Sequence, residues 1–491
     1  MLAPFFDRVY GAIGGHLAVS REALTETLSG VSVGIIAPQD STQNDTWISE
    51  FVINLVARLY PRIFVSGLTH NTDTLCELAR SINPEIEFVN SAQAQFSICV
   101  GGQGPEGGLF PSASGWVARL EHSAGVGSGR VNPYAATAAA CLACAELFRR
   151  VFLKSKAEAP TRVSLLDFGS SAGADDDVQS INLDGTVFVG IGAVANTALW
   201  ALGRHPGLEG EVSLIDGEDL TLLNLQRYVL GDLSDVGRAK VGIGRRALAK
   251  TGLTIHSQKQ TLETFAENSN RKSMPSIVVS VDNVQGRRSV QALLPRLAIN
   301  GWTGDQALGS SWHRFDQNTA CLACLYQPKG PGKSATEQAA DALGLTAERA
   351  AMLWVSGSPL TEDDLATAAA SLGVQRGVLD QWRGKRLGDL YTDVVCGAVP
   401  IDVGSLGRLE VVPLAHQSAL AGVLMIAELI KRTDQRMAAR SQPEVLVSYD
   451  NILRAPPSIW TKPRAREPRC ICGDSVYQEV FQSKWGVQAI A

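Results

Sequence analysis

Short apolar runs alternate with longer helix-prone stretches in two separate tracts of the chain. In the first tract, residues 31–36, 62–66 and 96–100 read as strands and 46–59 and 73–82 as helices. In the second, 187–189, 212–215 and 277–279 read as strands and 194–202 as a helix. Alternation of this kind predicts parallel sheets covered by helices, so the fold class is α/β. Residues 1–30 pattern as helix broken by glycines. A faint repeat links the tracts. Arg119-Leu120-Glu121 precedes Pro133-Tyr134 and an apolar helix over 135–150; Arg408-Leu409-Glu410 precedes Pro413-Leu414 and an apolar helix over 418–432. Either two related halves are fused, or two Ala-rich core helices look alike by composition.

Between and after these tracts the pattern changes. Gly, Ser and Asp crowd 169–179, the linker between halves, after a strand-like run at 163–166. Helix formers fill 333–395, where Ser334 with Glu337 and Thr361 with Asp364 mark helix starts. The boundaries expected are therefore a first α/β domain at 1–168, the linker at 169–179, a second domain at 180–332 plus 396–432, a helical insertion at 333–395 and a tail at 433–491. The second domain closes on a strand at 408–413, and the tail holds one strand-like run at 445–449.

Composition narrows the functional classes. The 491 residues are 45% hydrophobic and 19% charged, which suits a large buried core. Lys plus Arg total 44 against 49 Asp plus Glu, a net charge of −5, which argues against a nucleic-acid-coating surface. The most apolar stretch, 418–430, carries Glu428 and reads as a buried helix rather than a membrane span. The N-terminus lacks the basic start and long apolar core of a signal peptide. The expectation is a soluble cytoplasmic protein that binds neither nucleic acid nor membrane. Nine cysteines, an odd number, favour thiol or metal chemistry over a disulfide framework.

The candidate chemistry is concentrated between Thr186 and Lys240. A strand runs into Gly190-Ile191-Gly192, a helix follows, and a second strand ends in Asp216. Glycines let the backbone approach phosphate, and the helix N-terminus offers N–H groups. Alone this is a weak signal, with Ala195 in the third glycine's place, and Asp216 would equally suit the ribose of NAD in an oxidoreductase. Asn224-Leu225-Gln226-Arg227 and Gly237-Arg238-Ala239-Lys240 shift the balance, because such an amide and such cations suit a triphosphate folded over a reacting carboxylate. With Asp282-Asn283 after 277–279, five elements in this order resemble the E1-like superfamily of ThiF, MoeB and ubiquitin-activating enzymes.

The resemblance implies two Rossmann-like adenylation halves, the C-terminal one active. Gly190 and Gly192 would form the phosphate turn, and Asp216 would hold the ribose. Asn224, Arg227 and Lys240 would hold phosphates, and Asp282 with Asn283 would sit at Mg²⁺. The reaction implied is attack of a C-terminal carboxylate on the α-phosphate of ATP. The N-terminal half has Ala37-Pro38-Gln39-Asp40 where glycines would stand, a poor phosphate cradle, so it is the inactive half. In the family such a half lends an arginine to the partner's ATP. Arg8 is the candidate and Arg21 the reserve, with an ordinary solvated arginine as the alternative.

Cysteines add two expectations. Cys321 and Cys324, after a loop over 309–319, and Cys470 and Cys472 in the tail make a Cys₄ zinc site plausible. Many members of the superfamily tie their tail this way, though their second pair is usually Cys-x-x-Cys. Cys141 and Cys144 lie in an Ala-rich helix and read as buried structural thiols. Cys396, at the end of the insertion, falls where thioester-forming E1s carry their transferring cysteine; the alternative is a small apolar filler of a buried strand.

The architecture resembles the E1 components of bacterial ubiquitin-like conjugation operons, including antiphage Bil systems. It implies a ubiquitin-like protein and an E2-like conjugating protein as partners, with the chain a monomer by its pseudo-dimeric halves or a homodimer. The competing readings are an adenylyltransferase for a sulfur-carrier protein, an NAD-dependent oxidoreductase and a non-catalytic scaffold that binds a ubiquitin-like protein.

Overall fold

A computed structural model describes residues 2–17, 19–37, 42–67, 69–155, 160–168, 178–268, 274–304, 307–327, 334–372, 374–391, 413–440, 446–450 and 459–486. The chain divides into two compact units, one of Met1–Phe5, Thr27–Gln327 and Pro413–Ala491, the other of Phe6–Glu26 and Pro328–Val412. Among the described residues no helix is long and apolar enough to cross a membrane.

The chain opens with helices α1 (Phe6–Leu17) and α2 (Arg21–Gly30). The N-terminal half of the larger unit then runs β1 (Val33–Ile36), α3 (Gln43–Val56), β2 (Arg62–Ser66), α4 (Thr69–Ile82), β3 (Glu87–Phe88), β4 (Phe96–Cys99), β5 (Phe110–Ser114), β6 (Val117–Glu121), α5 (Pro133–Phe148) and β7 (Thr161–Ser164). β1 pairs in parallel with β2 and β4, and its Val33, Gly34 and Ile35 are buried in succession, as a central parallel strand covered on both faces requires. A parallel bridge from Ile98 to Leu109 carries the four-stranded sheet, order β3-β2-β1-β4, into the antiparallel ribbon β5-β6-β7.

The C-terminal half follows the same plan. Its elements are β8 (Ile181–Asn182), β9 (Thr186–Val189), α6 (Ala193–Leu202), β10 (Leu208–Glu209), β11 (Glu211–Ile215), α7 (Lys240–Leu248), β12 (Thr254–Gln258), α8 (Leu262–Asn268), β13 (Ser276–Val279), α9 (Val284–Ala292), β14 (Leu297–Thr303), β15 (Ala307–His313) and the one-turn α10 (Leu322–Leu325). After the insertion come α15, α16, β16 and β17, given below. The sheet order is β12-β11-β9-β13-β14-β15-β16-β17, parallel up to β14 and antiparallel beyond it. Counted from β1 and from β9, both halves share the order 3-2-1-4; the C-terminal half adds a fifth parallel strand, β14, before its antiparallel strands.

The smaller unit holds the helical insertion: α11 (Ala335–Leu343), α12 (Ala347–Ser356), α13 (Glu362–Leu372) and α14 (Leu387–Leu390). Both helix starts expected from sequence are present. Glu337 N donates to Ser334 Oγ at 3.2 Å, and Asp364 N donates to Thr361 Oγ1 at 3.3 Å. Leu343, Leu353, Leu365, Leu379 and Trp382 form this unit's own core.

The chain resumes with α15 (Ala415–Thr433), α16 (Gln435–Arg440), β16 (Leu446–Asp450), β17 (Ile459–Lys462) and α17 (Ser475–Trp485). Helices α5 and α15 pack against each other, α5 also on α3 and α15 on α6. Every residue of α5 is buried, as is the stretch of α15 from His416 to Lys431, so both are covered on all sides. Each ends alike. Glu146 pairs with Arg149 at 2.6 Å and Arg150 at 3.1 Å; Glu428 pairs with Lys431 at 2.5 Å and Arg432 at 3.3 Å. Lys431 Nζ also donates to Leu165 O at 2.7 Å, tying α15 to the end of the N-terminal half.

Two expectations are corrected. Residues 309–313 belong to strand β15 and not to a loop, and Cys321 caps the short helix α10, which contains Cys324. Gly309-Ser310-Ser311 hides the strand period, because small side chains suffice where α15 lies against the sheet. Among the described residues the tail holds two strands and two α-helices, not one strand. The closing strand at 408–413 lies almost wholly, and Cys396 and most of the 169–179 linker lie, outside the described residues.

Candidate functional site

The sequence-chosen glycines and acids lie where β9, β11 and β13 end, the switch point at which open parallel sheets bind ligands. Gly190 has φ of 82°, and a Cβ there would stand 2.9 Å from Val281 Cγ1, so conformation and space both demand glycine. Gly192 is the N-cap of α6. Buried Asn196 holds this turn from within, donating to Ile191 O at 3.1 Å and Gly192 O at 2.9 Å. Asp216 ties the second strand to the turn: its carboxylate accepts from Ile191 N at 2.7 Å and Glu218 N at 2.8 Å. Burial raises the Asp216 carboxyl, against these two N–H groups and the nearby Lys240.

Lys240 opens α7 and is 5% exposed. Its ammonium pairs with the Glu218 carboxylate and stands 5.2 Å from the centre of the Tyr228 ring. Burial alone would lower its pKa, but Tyr228, Glu218 and Asp216 outweigh that and leave it raised, so the cation persists in a largely dry setting. Asn224 lies in the 3₁₀ turn Leu222–Gln226 and accepts from Thr221 N at 3.1 Å; Arg227 follows directly. Asp282 is exposed beside Asn283, which caps α9 by accepting from Gly286 N at 2.6 Å. Behind them buried Arg287 donates to Val281 O at 2.5 Å and Gly301 O at 3.1 Å, fixing the turn that presents Asp282.

The structure thus gathers Gly190, Gly192, Asp216 and Lys240 around one turn, Asp216 through Ile191 N and Lys240 through Glu218, and places Asp282 and Asn283 at the adjoining strand end. Arg8 is on α1, in the other unit, as is Arg21, which pairs with Asp7 at 2.5 Å. Sequence reasoning missed Glu218, Tyr228, Asn196 and Arg287. Glu218 carried a signal, two residues past Asp216, and Asn196 lies one turn into α6; Tyr228 and Arg287 act through contacts that the fold brings together.

The four cysteines expected to bind zinc do converge. Their Sγ atoms lie within 4.8 Å of one another, with 3.8 Å between Cys321 and Cys324, 3.5 Å between Cys321 and Cys470, and 3.4 Å between Cys324 and Cys472. A tetrahedron with Zn–S bonds of about 2.3 Å has edges of roughly 3.8 Å, so donor type, number and spacing fit a structural zinc ion. Cys141 and Cys144 are buried in α5, as expected.

Residues 180–473, more than half of the chain, match the model of the ThiF family. The chain belongs to the ThiF family. Enzymes of this family have an E1-like adenylating fold and bind ATP with Mg²⁺, and the matched residues include the glycine turn, Asp216, Lys240 and Asp282. Residues 39–153 match a different model, described as prokaryotic E2 family C. Along its full length the chain is similar to protein y4jF of Sinorhizobium fredii, 31% identical over 514 residues that cover 99% of this chain and 97% of that one. Among solved structures it is similar to Escherichia coli MccB with ATP, at 15% identity and a TM-score of 0.37 over 60% of this chain and 68% of that one. MccB with selenomethionine-labelled MccA gives 15% and 0.36 over 60% and 66%.

Proposed function

We propose that this ThiF-family protein is an E1-like activating enzyme for the C-terminal carboxylate of a ubiquitin-like protein. The observation that carries the reading is the cation Lys240, nearly buried and retained beside Asp216 at the mouth of the glycine turn. A dinucleotide-dependent oxidoreductase has no use for it; a triphosphate does. In the proposed step a carboxylate oxygen bonds to the α-phosphorus of ATP, the bond from that phosphorus to the bridging oxygen breaks, and pyrophosphate leaves with the electron pair. Gly190 and Gly192 admit the phosphates, Asp216 meets the ribose, and Asn224, Arg227 and Lys240 offset developing charge. Asp282, with Asn283, would hold Mg²⁺, which supplies further charge neutralisation. The Cys₄ cluster would hold zinc and fasten the tail to the adenylation domain. Cys396 would then attack the acyl carbon as a thiolate, release AMP and carry the product as a thioester.

The N-terminal half acts in this reading as the inactive partner of the adenylation half. The match of residues 39–153 to an E2 model raises a second reading, in which this half itself accepts the thioester. Its own cysteines disfavour that. Burial raises the Cys76, Cys141 and Cys144 thiols and pushes Cys99 up to about 11, so none is poised as a thiolate. The reading therefore keeps the accepting cysteine on a separate E2-like protein.

The test is a non-reducing gel after mixing the chain with Mg-ATP and a candidate ubiquitin-like protein. A band shifted by the partner's mass, lost with reductant and absent in Cys396→Ala and Asp282→Ala, supports the full reading. Pyrophosphate exchange that survives Cys396→Ala without any such band supports instead an adenylyltransferase of the sulfur-carrier type.

A further inference from the structure

The loop bearing Asn224 and Arg227 is held from outside its own half. Arg58, just past α3 in the N-terminal half, is 1% exposed. Its Nη1 donates to Leu225 O, its Nη2 to Gly231 O at 3.0 Å, and its Nε to Asn54 Oδ1 at 3.1 Å. Asn54, on α3, donates through Nδ2 to Val229 O at 2.9 Å. Two side chains of one half thus occupy carbonyls at 225, 229 and 231 of the other. From the opposite side Asn196 Oδ1 accepts from Leu230 N at 3.2 Å, the same Asn196 that holds the glycine turn. The same face of the N-terminal half also places Phe51 against Trp200, ring centres 4.5 Å apart, and Glu50 against Arg204 at 2.8 Å.

Arg58 is costly where it stands. Its hydrogen-bond acceptors here are neutral, and burial pulls its guanidinium down to about 9, opposed by Asp232. Surface burial alone would be served by an apolar side chain. What a guanidinium adds is a rigid fork that can fix two backbone carbonyls at once.

We propose that Arg58 and Asn54 are positioning residues that set the Leu225–Gly231 backbone, and through it Asn224 and Arg227, for the nucleotide phosphates. The N-terminal half thereby contributes to the active site without touching the nucleotide. This rests on the adenylation reading for its functional consequence, but the bracing itself does not.

The experiment uses the full chain as wild type, Arg58→Met, Arg58→Lys and Asn54→Ala, with amide hydrogen exchange in the absence of ATP and Mg-ATP affinity by calorimetry. Exchange in the 222–231 segment is expected to rise at least about tenfold in Arg58→Met, less in Arg58→Lys and Asn54→Ala, while α5 stays protected. ATP affinity should weaken by about tenfold in Arg58→Met and recover in part in Arg58→Lys. Unchanged exchange in the loop, or a rise spread equally over α3 and α5, overturns the proposal. If Arg58→Met does not fold, Asn54→Ala decides by the same two readouts. A wild type that binds no ATP sinks the adenylation reading instead, and the exchange data still judge the bracing.

Discussion

The two halves of the larger unit share a frame and differ in what hangs from it. In the C-terminal half Val189 pairs with Ile215 and Val279; in the N-terminal half Ile36 pairs with Ser66 and Cys99. Counting from these registers, Gly190 corresponds to Ala37, Asp216 to Gly67 and Asp282 to Gly102. Even the backbone link is repeated, Gly190 N to Ile215 O at 2.9 Å and Ala37 N to Ser66 O at 2.8 Å. The residues proposed for the phosphate turn, the ribose and the magnesium ion are each replaced, while the hydrogen bonds that build the sheet are kept. Fold and chemistry are separable here: the sheet order needs apolar strands and crossover helices, and the site needs three residues at strand ends.

The largest expected effect breaks this asymmetry at its chemical end. Lys240→Ala should lower ATP–pyrophosphate exchange by about 10²–10³-fold, since it removes a cation from a largely dry site. Gly67→Ala, at the position matching Asp216, should change exchange by less than about twofold. Next comes the metal. The chain should carry one zinc ion, and Cys470→Ser should remove it and lower the melting temperature by several degrees, read by metal analysis and calorimetry.

A third comparison uses the matched helix ends. Glu428→Ala would leave the fully buried Lys431 ammonium without its carboxylate and should cost about 3–5 kcal/mol of stability. Glu146→Ala should cost less, because Arg150 is 15% exposed and can turn to water. Denaturant melts of the two variants check the ranking.

The smallest effect is a pH dependence at the contact between halves. Tyr134 Oη of the N-terminal half lies 2.8 Å from His205 Nδ1 of the other, and burial lowers His205 to about 4. The unfolded chain takes up this proton first, near pH 6.5, so the stabilisation is complete above that value and is lost as pH falls toward about 4. His205→Gln should flatten the melting temperature between those limits.

Much of this was legible in the sequence where local pattern and chemistry coincide. The strand 62–66 is β2 to the residue, the 194–202 helix is α6 but for one residue, and Cys321 and Cys324 do meet Cys470 and Cys472. The turn needs glycine at 190 for a local reason, and so it showed. Strand β15 did not, because its Gly-Ser-Ser interior is dictated by α15, a helix distant in sequence. Arg58 and Arg287 escaped notice for the same reason. An arginine bound to backbone carbonyls leaves no spacing pattern, and its role is defined by what the fold brings to it.

Calorimetric titration of the full chain with Mg-ATP tests the central claim most directly. One site per chain is predicted, abolished by Lys240→Ala and left intact by Gly67→Ala. Two sites, no site, or binding that survives Lys240→Ala would contradict the assignment of the nucleotide to the C-terminal half alone.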